Sequence, residues 1–191
     1  MRQVDVPEGK SGDWRIERFE VSKQDADFEN LRAAIGGSSR PIRPGTYTRL
    51  MRGGSLVMSD TPMEMYDHAE AVRRARGRVL VGGLGLGMVV QAMLDMPDVE
   101  HVTVVELSDD VITLAGAHYL SRYPGRLNIV HDNMLTWRPA KTARYGAAWF
   151  DIWDGICSDN LPAMQTLRRR YARRAAWLGC WCYYETLRAR R

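Results

Sequence analysis

A chain of 191 residues has room for one domain, or one domain with a small appendage. Its composition, 45% hydrophobic and 26% charged, is that of a globular chain rather than a disordered or fibrous one, and a net charge of +4 is too small to demand a polyanionic partner. No apolar run is long enough to cross a membrane and the N-terminus lacks the apolar core of a signal peptide, so neither span nor leader is expected and the cytoplasm is the default compartment.

Residues 1–12 are polar and hold Pro7, Gly9 and Gly12, which predicts a disordered tail. Residues 13–76 read as a small β-rich segment. Within it, Trp14 to Val21 (WRIERFEV) alternates as a strand does, and Asp25 to Ile35 has helical spacing stopped by Gly36-Gly37. Thr46 to Arg52 and Ser55 to Ser59 flank Arg52-Gly53-Gly54 as a β-hairpin. Met63 to Arg74 follows Asp60-Thr61-Pro62, a helix start with Pro in the first turn.

From residue 77 to 191 the pattern changes to strands alternating with helices. VLVGG, HVTVVEL, LNIVHD, GAAWFDIW and WLGCWCYYE read as strands, and Met88 to Met96, Asp110 to Leu120 and Pro162 to Ala175 as helices. Such alternation, with apolar strand cores, predicts a mostly parallel sheet covered on both faces. Cys157, Cys180 and Cys182 form no disulfide framework. Cys180 and Cys182 would share one face of the last strand, but no second pair at zinc spacing accompanies them, and no metal is expected.

Gly83-Leu84-Gly85-Leu86-Gly87 follows the first of these strands and opens a helix. Glycines there permit a tight turn and close approach of backbone to a ligand. Glu106, with Leu107 beside it, ends the next strand, where a carboxylate can accept from both hydroxyls of a ribose; a cap or a solvated side chain is the alternative. The dinucleotide pattern G-x-G-x-x-G fails, because its third glycine falls on Met88 or Val90. The G-x-G-x-G spacing instead resembles the first motif of class I S-adenosylmethionine (SAM)-dependent methyltransferases. That resemblance implies a Rossmann-like, doubly wound sheet of order 3-2-1-4-5. Asp132, with Asn133 next to it, would then meet the adenine amino group, unless Asp132 is a turn or cap residue.

Asp151-Ile152-Trp153-Asp154 stands at the exit of the fourth strand, where ligands bind in open α/β sheets. Paired carboxylates can hold an amine and take its proton, and their mutual repulsion raises one pKa. Trp153 between them either walls the pocket, with cation–π attraction for an amine or sulfonium, or packs under the next helix.

From about Leu56 to Glu185 the chain resembles the spermidine synthase-like family. GGLGLG stands for its glycine turn, Glu106 for its strand-two acid, His131-Asp132 for its Gly-Asp pair, and Asp151 and Asp154 for its D-x-x-D. MEMYDHAE resembles its D-E-F-x-Y-H-E segment, with Glu64 and His68 in register and Tyr66 one position out. The resemblance implies that Asp151 accepts a proton, that Asp154 helps bind an amine and that His68 contacts the sulfonium ligand. It differs from that family at Leu86, where the family has an acid in the turn, at Gly155 in place of a proline, and at LVMSD, which lacks the family's glutamine. The family also continues beyond a fifth strand.

These features imply a SAM-dependent transferase, first a methyltransferase of unidentified acceptor. The alternatives are an aminopropyltransferase using decarboxylated SAM and a non-catalytic SAM-binding module. The last strand, at the sheet edge, predicts a homodimer or cover by the N-terminal β segment. Arg168, Arg169, Arg170, Arg173 and Arg174 read as a solvated basic helix, with a nucleic-acid contact as the less favoured reading.

Overall fold

A computed structural model of the protein describes residues 1–35 and 41–188. The Gly36-Gly37 helix stop and the terminal Arg190 and Arg191 lie outside the described residues.

The first part is a four-stranded antiparallel sheet of order β1-β2-β3-β4, with β1 at Gly9–Ser11, β2 at Trp14–Val21, β3 at Gly45–Arg52 and β4 at Ser55–Ser59. In β2, Ile16 is buried in the main core and Val21, on the opposite face, in a separate small cluster with Ala26 and Tyr47, while Arg15, Arg18 and Glu20 stay in solvent. Helix α1 (Lys23–Ile35) connects β2 to β3, and α2 (Pro62–Arg74) leads to the second sheet. Pro62 opens α2, where a missing backbone N–H costs nothing.

The second sheet is five-stranded and parallel, in the order β7-β6-β5-β8-β9, which is the 3-2-1-4-5 order expected. Its strands are β5 (Gly77–Gly82), β6 (Val99–Glu106), β7 (Leu127–His131), β8 (Tyr145–Phe150) and β9 (Ala175–Cys180). Helix α3 (Met88–Leu94) follows β5. After β6 come α4 (Asp109–Val111), a π-helical turn (Ile112–Gly116) and α5 (Ala117–Arg122). Helix α6 (Leu161–Tyr171) precedes β9, and α7 (Tyr183–Arg188) follows it. In β5, Val79, Leu80 and Val81 are all buried, because helices cover both faces of a central parallel strand. Val79 and Val81 join the core under α2, α3 and α5, while Leu80 joins the core under α6.

Residues 1–12 are not a disordered tail. Val6 is 1% exposed, and Val4 is buried beside it in the main core. The Val4 N–H donates to Asp60 Oδ2 at 3.1 Å, and Asp60 Oδ1 accepts the Thr48 N–H at 2.6 Å. Asp5 pairs with Arg122 and, at 3.0 Å, with His118. Two valines at alternate positions, with these polar contacts, dock an otherwise polar segment on a surface that comes from distant sequence.

The last strand also differs from expectation. It ends at Cys180; Cys182 has a left-handed backbone (φ 46°), and Tyr183 begins a helix. Cys180 and Cys182 therefore share no strand face. Strand β9 is an edge, as its order requires, and among the described residues no strand of the N-terminal sheet pairs with it. Three arginines of the basic helix region are engaged within the chain. Arg168 stacks 4.6 Å over Tyr183, Arg170 donates to the Met134 carbonyl at 3.3 Å, and Arg174 donates to the Ala140 carbonyl at 3.0 Å. Among the described residues, no helix is long and apolar enough to cross a membrane.

Candidate functional site

Strand β5 stops at Gly82 because the next residues need backbone shapes that side chains resist. Gly83, Gly85 and Gly87 have φ of 92°, 52° and 74°. A Cβ on Gly83 would strike the Asp151 carbonyl, and one on Gly87 would strike the Tyr119 ring. The turn is closed by the Gly87 N–H donating to the Leu84 carbonyl at 2.8 Å. The buried Tyr119 hydroxyl donates to the Leu86 carbonyl at 2.8 Å, and burial pushes that phenol well above its usual pKa. Leu86 itself is 0% exposed and packs in the main core. Where the resembling family has an acid, this chain has a core residue.

Glu106 ends β6 beside this turn. Its Oε2 accepts the Leu84 N–H at 2.7 Å and its Oε1 accepts the Ser108 N–H at 2.8 Å. Each oxygen keeps a second lone-pair direction, so a buried carboxylate held by backbone donors can still take a vicinal diol.

Asp151 follows the last residue of β8. Its N–H donates to the Gly82 carbonyl at 2.8 Å, which extends the sheet by one bond and brings its side chain to the glycine turn. Burial, together with the negative charges of Glu64, Asp154 and Glu106, raises its pKa to about 7. The Nε2 atom of His68, on α2, lies 3.7 Å from Asp151 Oδ2. His68 is 1% exposed and meets Trp149 edge to face with ring centroids 5.8 Å apart. Trp149 in turn stacks on Trp177 at 6.2 Å.

The glycine turn, Glu106, Asp151 and Trp149 border one cavity of about 590 Å³ at the carboxyl ends of β5, β6 and β8. Of the residues singled out from sequence, Gly83, Gly85, Glu106, Leu107 and Asn133 lie on its wall, and Asp151 and Asp154 face them. Trp153 lies on the wall as well, and it also packs against the core under α6, so both readings of it hold in part. Gly87 shapes the turn from beneath it. His68 is buried behind Asp151 rather than on the wall. Asp132 is exposed and off the wall; its Oδ1 accepts the Asn133 N–H at 2.6 Å, a local turn contact. Asn133 Oδ1 accepts the Leu135 N–H at 2.9 Å, which leaves its amide NH₂ as a donor at the wall.

Sequence reasoning missed the opposite wall. Trp14, Leu50, Arg52 and Met58, from the N-terminal sheet, close the cavity over the turn, and Asp110 adds a fourth carboxylate. Met58 fills the space at Gly85, and its sulfur accepts the Leu86 N–H at 3.1 Å. No local pattern announces these residues, because only the packing of one sheet on the other brings them to the site. The cavity is of the size that holds a nucleoside-scale ligand.

No protein-family model matches the chain, and no curated protein does. Solved structures do resemble it. Spermidine synthase from Thermotoga maritima is 17% identical, over 85% of this chain and 50% of that one, with a TM-score of 0.48. A dimethyladenosine transferase from Plasmodium falciparum is 14% identical, over 59% of this chain and 37% of that one, with a TM-score of 0.44. The N-terminal domain of EvdMO1 with SAH bound is 15% identical, over 61% of this chain and 47% of that one, with a TM-score of 0.46. The chain thus spans half or less of the length of each of these three proteins. The likeness is one of chain path at low identity; what the cavity does rests on its own residues.

Proposed function

We propose that the chain is a SAM-dependent transferase, in the first place a methyltransferase whose acceptor is an ionisable nucleophile such as an amine. The observation that carries this reading is the meeting of Glu106 and Asp151 on the wall of one cavity around the glycine turn. Glu106 would hold the ribose hydroxyls. Leu107 and Leu135 offer apolar surface to a purine, and the Asn133 amide offers it a donor. When bound, the sulfonium donor supplies an electrophilic carbon, and catalysis beyond that is largely positioning.

Asp151 is suited to the proton. With a pKa near 7 it is partly ionised at neutral pH, which allows it to accept a proton from an acceptor's ammonium or hydroxyl group. Asp154 adds a second carboxylate at the wall, and Trp149 and Trp153 present aromatic surface for cation–π attraction to a positive group. His68 would orient the Asp151 carboxylate from behind and, when protonated, pair with it.

An aminopropyltransferase is the second reading. It is favoured by four carboxylates on the wall, Glu106, Asp110, Asp151 and Asp154, which suit a polycationic donor and an amine. A module that binds the nucleoside without turnover is the third.

The test is transfer of radiolabelled methyl from SAM to a panel of amine, protein and nucleic-acid acceptors, with the wild type and Asp151→Asn. The methyltransferase reading predicts label transfer that falls by about 10²-fold or more in the variant. Transfer of an aminopropyl group from decarboxylated SAM, with none of methyl, would favour the second reading. Nucleoside binding unchanged by Asp151→Asn, with no transfer by either protein, would favour the third.

A further inference from the structure

The cavity wall carries four carboxylates and, of the side chains that reach it, one basic group, Arg52. Arg52 ends β3, directly across from Trp14 in the β2–β3 register. Its guanidinium lies 5.3 Å over the Trp14 ring. Stacking of this kind restrains the plane of the group while leaving its N–H edges free for a planar anion. Asp110 borders the same cavity, and its Oδ1 accepts the Ser11 hydroxyl at 2.7 Å.

Ligand charge must match this layout. A carboxylate entering the cavity meets repulsion from Glu106, Asp110, Asp151 and Asp154, and among the charged side chains of the wall attraction only at Arg52. A ligand bearing only positive groups would suit the acids but leave Arg52 facing like charge. A zwitterion with a sulfonium, an ammonium and one carboxylate satisfies both.

We infer that Arg52, braced on Trp14, is the residue that takes the donor's carboxylate and so selects SAM over its decarboxylated form. The inference rests on the nucleoside-transferase reading above and sharpens it. The residue comes from the N-terminal sheet, which then serves as the specificity wall of a site whose chemistry lies on the parallel sheet.

The experiment is calorimetric titration of four probes, SAM, S-adenosylhomocysteine, decarboxylated SAM and 5′-methylthioadenosine, into the wild type, Arg52→Met and Arg52→Lys. The last two probes lack the carboxylate, and 5′-methylthioadenosine keeps the nucleoside. The wild type should prefer SAM to its decarboxylated form by about tenfold or more. Arg52→Met should weaken S-adenosylhomocysteine by about 10- to 100-fold and leave 5′-methylthioadenosine within about twofold, which also reports an intact fold. Arg52→Lys should recover part of the loss, as a charge without the planar fork would.

Equal weakening of all four probes in Arg52→Met would overturn the inference, by making Arg52 a structural residue. So would undiminished binding of S-adenosylhomocysteine, or wild-type preference for decarboxylated SAM. In those three outcomes the nucleoside reading stands. Failure of all four probes, 5′-methylthioadenosine included, to bind the wild type would overturn that reading and the role of Arg52 with it.

Discussion

Glu106 Oε2 accepts the backbone N–H of Leu84 at 2.7 Å, which ties the end of one central strand to the turn that follows its neighbour. The carboxylate therefore has two duties, to satisfy the backbone and to face the cavity. Glu106→Ala would orphan the N–H groups of Leu84 and Ser108, at a cost of about 1–3 kcal/mol for each that water does not reach. Urea unfolding should show that loss, and nucleoside affinity should fall by at least about tenfold. An unchanged midpoint would mean the two N–H groups find other partners.

Asp151 makes stability depend on pH in a defined sense. Its folded pKa is raised to about 7 from an ordinary 3.8. Between those values the folded chain binds a proton that the unfolded chain has released, so this group's contribution falls as pH rises through that window. The groups that face it are His68, Glu64, Asp154 and Glu106. Asp151→Asn removes the titration. Relative to wild type it should be more stable at pH 8 than at pH 4.5, by about 3 kcal/mol. Thermal unfolding at the two pH values checks this, and a pH-independent difference would contradict the assigned pKa.

The glycines of the turn should divide into two classes. Gly83→Ala and Gly87→Ala meet a backbone carbonyl and a buried tyrosine ring, on top of a left-handed φ. Each should cost about 2–4 kcal/mol. Gly85→Ala meets the flexible Met58 side chain, whose sulfur would give up the Leu86 N–H, so its cost should lie below the other two, at about 1–2 kcal/mol. Denaturant midpoints give the order directly.

The N-terminal segment should behave as part of the core. Val6→Ala, at a site 1% exposed, should destabilise by about 1–3 kcal/mol. A negligible effect in urea would mean that residues 1–12 do not hold the position described.

How much of this was readable from sequence depends on how local each signal is. Strand β2 was legible to the residue because apolar and charged residues interleave from Trp14 to Val21, and the β5 turn because its three glycines lie within five residues of chain. The docking of Val4 and Val6 was hidden because both partners, Asp60 and the core beneath α2, lie far along the chain. The run Trp181-Cys182-Tyr183-Tyr184 looked like more strand because an apolar, aromatic run has no period of its own; a left-handed Cys182 turns it into a helix. Asp151 was placed correctly at a strand exit, but His68 behind it and Arg52 across from it required the fold.

The central claim is that the cavity holds an adenosyl nucleoside on Glu106 and the glycine turn. The most direct test is titration of the purified chain with S-adenosylhomocysteine, followed by calorimetry, in wild type and Glu106→Ala. The account predicts one site with a Kd below about 100 μM in the wild type, weakened at least about tenfold in the variant. Absence of binding at millimolar ligand, or equal affinity in both proteins, would contradict it.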